Sequence, residues 1–203
     1  MWIAKLGGSL LAGSEPLRPW LAALSGRPDL VLVPGGGPFA DQVRAAQVRW
    51  GFDDATAHHL ALLAMEQHGR MLCALQPGLA PAATPAALLG IASSGTTPVW
   101  MPVAMALADP TLPRDWDLTS DALAAWLGAR LGAEALLLIK SAPLPGGRVP
   151  LETLALQGLV DTRLPAYARA AGVPVYLLSS TDLEALPGLL AHADHTRVTV
   201  GLY

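Results

Sequence analysis

Val33-Pro34-Gly35-Gly36-Gly37-Pro38-Phe39-Ala40-Asp41 ends an apolar β-type run over residues 30–33 and opens a helical pattern over residues 38–49. Each glycine costs roughly 1 kcal/mol relative to alanine inside a regular element, and a turn needs only one of the three. Such a segment lets a ligand come close to the backbone, with the next helix's N-terminus aimed at an anion. A second stretch, Lys5-Leu6-Gly7-Gly8-Ser9, ends the strand-like run over residues 1–6. Its glycine amides suit phosphate oxygens and Lys5 supplies a point charge. Read alone, it is a weak signal that an exposed lysine before an ordinary strand-to-helix turn explains more simply. Neither cluster has the Walker A or the dinucleotide GxGxxG spacing. Both stand where ligands bind in open α/β sheets, at strand carboxyl ends.

Outward from these two turns, β-type runs alternate with helical patterns, which predicts a parallel sheet covered on both faces. Asp53 predicts an N-cap for a helix through His68, with Gly69 as its stop. Residues 71–75 read as a short strand. Residues 78–90 read as an Ala/Pro-rich connection, with a short helix over 86–91 and a strand over 99–101. Thr119 predicts the cap of a helix through Leu131, followed by a buried strand over 135–139. Residues 164–171 read as helix, 173–178 as strand, 182–192 as helix and 196–201 as a last edge strand. The expected fold class is α/β, a three-layer sandwich with a mainly parallel central sheet, in a single domain over residues 1–203.

Hydrophobic residues make up 52% of the chain and charged ones 14%, so it is globular, and few charges remain for its surface. That excess suits a buried subunit interface, so a homo-oligomer is expected. A formal net charge of -3 lacks the basic footprint of a nucleic-acid binder, so no nucleic-acid partner is expected and any anion site is local. The lone Cys73 excludes an internal disulfide and reads as a small buried hydrophobe. No apolar run approaches the roughly 20 residues that cross a bilayer, and the N-terminus lacks a signal-peptide pattern. The expectation is a soluble cytoplasmic protein with no membrane partner.

Two further stretches carry candidate chemistry. In Trp116-Asp117-Leu118-Thr119-Ser120-Asp121, the carboxylates of Asp117 and Asp121 flank a helix start. There they satisfy amides, orient a lysine or simply compensate the helix dipole. Lys140-Ser141 ends the strand over 135–139, which puts a cation on the ligand side of the sheet or in solvent. His58 and His59 are helical neighbours roughly 100° apart, so at most one faces a given ligand. His192 and His195 with Asp194 offer metal-type donors, although a solvated turn suits them better. The six tryptophans read as packing groups.

Together these pieces resemble the amino acid kinase superfamily over nearly the whole chain, on KLGGS, VPGGGPFAD and TSDALAAWLGARLGAEALLLIKS in that order. FDDATAHHLALLAMEQHG and WDLTSDALAAWLGA are similar to its small aspartokinase-like group, which contains the (aminomethyl)furanylmethyl phosphate kinase of methanofuran biosynthesis. The resemblance implies an ATP-dependent kinase for a small-molecule acceptor, such as a phosphate monoester. It implies Lys5 and Asp121 as catalytic residues, the aspartate organising a lysine. Gly7, Gly8, Ser9, Lys140 and Ser141 would contact the nucleotide phosphates, and Gly35, Gly36, Gly37 and Asp117 the acceptor. Mg2+ would be held mostly by ATP oxygens and water, with no protein metal ligands. Two departures stand out. Ser-Ala-Pro follows Lys140 where many members have Asp-Gly, and residues 159–166 carry Asp161 and Arg163 but no second catalytic lysine. A storage protein for oxometalate clusters and a regulatory pseudokinase are the other readings within the same fold.

Overall fold

A computed structural model describes residues 1–11, 17–191 and 198–202. The chain runs β1 (Trp2–Leu6), α1 (Leu17–Leu24), β2 (Leu30–Pro34), α2 (Gly37–Trp50), α3 (Asp54–Leu75), β3 (Leu79–Ala82), α4 (Pro85–Ser93), β4 (Thr97–Trp100) and α5 (Val103–Ala108). It continues with α6 (Ser120–Leu131), β5 (Ala135–Lys140), β6 (Gly147–Pro150), α7 (Leu151–Leu156), α8 (Leu164–Ala171), β7 (Val175–Ser179), α9 (Leu186–Leu190) and β8 (Thr199–Leu202). One eight-stranded sheet has the order β3-β4-β2-β1-β5-β7-β8-β6. Every neighbouring pair is parallel except β7 and β8.

Alternation along the strands sorts the core into two layers, because successive side chains leave a strand on opposite faces. Ile3, Val31, Val33, Leu136 and Leu138 pack with the buried face of α6 and with Leu62 and Met65 of α3. Trp2, Ala4, Leu6, Leu30, Leu32, Leu137 and Ile139 pack on the other side with Trp20, Leu21 and Leu24 of α1 and with Leu186 and Leu189 of α9. Helix α6 is buried all round from Ser120 to Gly128, which its small alanines and glycine permit.

Four sequence expectations change. Helix α3 does not stop at Gly69 but runs to Leu75, about 33 Å at 1.5 Å per residue, so residues 71–75 are helix and not strand. Gly69 instead permits close packing: a Cβ there would lie 2.6 Å from Met101 Cε and 3.2 Å from Pro34 Cγ. The Ala/Pro-rich connection holds β3, whose Pro81 is tolerated because the strand is a sheet edge. Pro187 starts α9 in place of one helix from 182, and residue 192 lies outside the described residues. Strand β8 is not an edge, because β6, which the sequence did not announce, pairs with its outer side.

Candidate active site

Strand β1 delivers Lys5 and the first glycine loop; neighbouring β2 delivers the second. The two loops touch through backbone alone. A Cβ on Gly8 would sit 2.1 Å from the Gly37 nitrogen, and Gly37 has φ +54, where a side chain is strained. Gly7 N–H donates to Ile139 O at 3.0 Å and Gly35 N–H to Leu6 O at 2.9 Å, so these two amides tie the loops to the sheet. Gly8 begins a 3-10 turn, Gly36 occupies the N-cap of α2 and Gly37 is its first residue. The first N–H groups of a helix have no intrahelical acceptor, so these three are among the amides open to an anion. Gly7 borders the cavity with its N–H already given to Ile139, so its expected amide contact to a phosphate would have to share that hydrogen bond.

Lys5 is opposite Leu138 in the β1–β5 register, and Lys140 lies two residues farther along β5. Both side chains therefore leave the same face of the sheet. Asp121, in the first turn of α6, meets them there. Lys5 Nζ forms an ion pair with Asp121 Oδ1 at 2.9 Å, and Lys140 Nζ donates to Asp121 Oδ2. The aspartate is only 1% exposed. Burial pushes its carboxyl up, but the ammonium groups of Lys140 and Lys5 outweigh that and hold it well below the usual carboxylate range.

Thr119 occupies the N-cap of α6 as the sequence predicts, but its hydroxyl makes no capping bond, and the amides are met by a residue 40 positions on from Asp121. Asp161 Oδ2 accepts from Asp121 N–H and Ala122 N–H, each at 3.0 Å, while Thr119 Oγ1 donates to Asp161 Oδ1. Asp161 N–H in turn donates to Asp121 Oδ2 at 3.2 Å. Because Asp161 serves the helix amides, Asp121 is released from dipole compensation to hold the lysines. Burial, and then the neighbouring Asp121 charge, raise the Asp161 carboxyl.

These groups border a cavity of about 310 Å3 that joins Lys5, Lys140 and both glycine loops to α2, α3 and the segment before α6. Its far wall has Asp41, Arg44, His58, Ala61, Leu62, Met65 and Trp116. The Arg44 guanidinium lies 3.9 Å from the centre of the Trp116 ring, and Trp116 Nε1–H donates to Gln47 Oε1 at 2.6 Å. His58 lines the cavity while His59 is exposed. Burial lowers the His58 pKa, so the ring is neutral near pH 7. Asp117 and Ser141 lie outside the lining; it is Asp115 that faces the cavity. Arg163 pairs with Asp115 at 2.6 Å and reaches Asp117 at 3.7 Å, which keeps it from the lysine position that the sequence left open. Of Ser9 only its place in the 3-10 turn is described, and His192, Asp194 and His195 lie outside the described residues.

Two lysines held by one buried aspartate stand beside two glycine loops, at the carboxyl ends of neighbouring parallel strands. The chain belongs to the amino acid kinase family, whose model matches residues 1–143. It is 24% identical to the [5-(aminomethyl)furan-3-yl]methyl phosphate kinase of Methanocaldococcus jannaschii, over 98% of this chain and 97% of that protein. The fold is similar to that of uridylate kinase from Archaeoglobus fulgidus, with a TM-score of 0.71 at 15% identity and full coverage of both chains. It is also similar to UMP kinase from Bacillus anthracis, with a TM-score of 0.73 at 14% identity over 98% of this chain and 94% of that one.

Proposed function

We propose that the protein transfers the γ-phosphoryl group of ATP to a small phosphate monoester, of the kind named for the Methanocaldococcus relative, and so makes a diphosphate. The observation that carries this reading is the grip of Asp121 on Lys5 and Lys140 at the cavity edge. An oxygen of the acceptor phosphate attacks the γ-phosphorus. The bond from that phosphorus to the β–γ bridging oxygen breaks, and its electron pair leaves with ADP. No protein nucleophile is needed, because positioning and charge stabilisation supply most of the catalysis. Lys5 and Lys140 neutralise the transferring group, and the amides of Gly8, Gly36 and Gly37 hold its oxygens. Lys140 takes the place of the missing late-helix lysine.

Arg44 has no carboxylate partner among the described residues and supplies the cation for an acceptor phosphate. Ala61, Leu62 and Met65 offer a small apolar wall for the acceptor's body. Among the described residues no group of three His, Cys, Asp or Glu side chains is arranged to hold a metal ion. Magnesium would accompany the nucleotide and offset the charge of its phosphates. No helix among the described residues is long and apolar enough to cross a membrane. We read the protein as a single-domain, cytoplasmic homo-oligomer; exposed Val48 and Trp50 on α2 support a subunit contact. The test is ADP release with a panel of phosphate monoesters, amines and carboxylates. Release that depends on a monoester supports the reading; release that depends on a carboxylate or amine alone refutes it.

A further inference from the structure

His68 is fully buried in α3, and its Nδ1 lies 2.5 Å from the carbonyl oxygen of Gly35. A carbonyl only accepts, so Nδ1 carries the proton. The other ring nitrogen, Nε2, is then a bare lone pair, buried and without a hydrogen-bond partner among the described residues. A buried unpartnered acceptor is costly, and an apolar ring would avoid that cost if packing were the only role. Burial, with the Lys5 ammonium adding to it, lowers the ring's pKa and keeps it neutral.

The hydrogen bond fixes one peptide plane. In a trans peptide the C=O and the following N–H point in opposite directions. With the Gly35 carbonyl drawn into the protein by His68, the Gly36 N–H is turned the other way, and Gly36 lines the cavity. Glycine on both sides makes this peptide cheap to flip. A flip would present a carbonyl oxygen to an incoming anion where an N–H now stands. Gly69 completes the device: lacking a side chain, it lets α3 approach Pro34 closely enough for His68 to reach the loop.

We infer that His68 is a positioning residue that locks the Gly35–Gly36 peptide with its N–H toward the transferred phosphoryl group. This rests on the kinase reading of the cavity. The test compares His68→Leu, which removes the donor, with His68→Asn, whose side-chain amide can replace Nδ1–H. Titration calorimetry with ATP and with ADP reads the lock without any acceptor. His68→Leu should lose at least about tenfold in ATP affinity with ADP affinity unchanged, and His68→Asn should return within about threefold of wild type. The kcat with the best acceptor should follow the same order, measured well below both melting temperatures. Equal losses for ATP and ADP, no loss for either, or no rescue by asparagine would overturn the lock. If His68→Leu does not fold, His68→Asn against His68→Ser makes the same comparison, with serine too short to reach. A wild-type protein that binds neither nucleotide would instead overturn the kinase reading itself.

Discussion

Replacing Asp121 by asparagine keeps the shape and removes one charge from the centre of the site. The wild-type carboxylate is 1% exposed and lies between two ammonium groups. Asparagine leaves two lysine charges close together with only Asp161 nearby. Breaking a buried ion pair by removing one partner costs about 3–5 kcal/mol. At 2–4 °C per kcal/mol for a chain of this size, melting should fall by roughly 10 °C. A helix-dipole role alone would cost about 0.3–1 kcal/mol. The pH dependence has a definite sign. The folded-state pKa of Asp121 is depressed, so its stabilisation is present above the unfolded value of about 3.9 and is lost only as pH falls through the lower folded value. The gap between wild type and variant should therefore hold from neutral pH to about pH 4 and close only below it. Turnover should drop at least about 100-fold, equivalent to roughly 2.7 kcal/mol of barrier. Thermal melts across pH and kcat at saturating ATP check this. A variant that melts within 1 °C of wild type and turns over normally would leave Asp121 with no hold on the lysines.

Three other outcomes follow from the same geometry. Lys140→Ala should lower kcat about as much as Lys5→Ala, each by roughly 100-fold, because one carboxylate aims both; an unchanged kcat for Lys140→Ala would remove it from the transfer step. Gly8→Ala forces a Cβ to within 2.1 Å of the Gly37 nitrogen, so the loops must part, and steady-state kinetics should show at least a tenfold loss of kcat/KM while circular dichroism stays native. Burial pushes the Cys73 thiol up to about 11, so alkylation at pH 8 should run on the order of 100-fold slower than for a free thiol and keep rising about tenfold per pH unit beyond pH 9, where a free thiol levels off.

The glycine loops and Lys5 were legible because their signal is local: a strand, then glycines, then a helix start. Asp121 was legible as a residue but not in its surroundings. Its partner Lys140 lies 19 positions on, and the cap that frees it comes from Asp161, 40 positions on. No window of sequence joins them. Gly69 misled for a physical reason: a glycine after a helical run is the usual stop, and here it serves close packing against Pro34 and Met101. The same misreading hid His68, whose partner is a carbonyl 33 residues away. Asp115 and Asp117 differ by two positions in one loop, and only the fold turns Asp115 into the cavity. Strand β6 was missed because Gly147-Arg148-Val149-Pro150 is short and mostly exposed, with no alternating pattern to announce it.

Phosphorus NMR of the protein with ATP, magnesium and an (aminomethyl)furanylmethyl phosphate follows donor and acceptor in one sample. The γ-phosphate signal of ATP should fall as ADP appears, the acceptor's monoester signal should fall in step, and a new diphosphate pair should replace it. The Lys5→Ala protein should leave the spectrum nearly unchanged over the same time. ATP consumed to free phosphate with the monoester signal intact, or wild-type and Lys5→Ala spectra that change alike, would contradict transfer at this site.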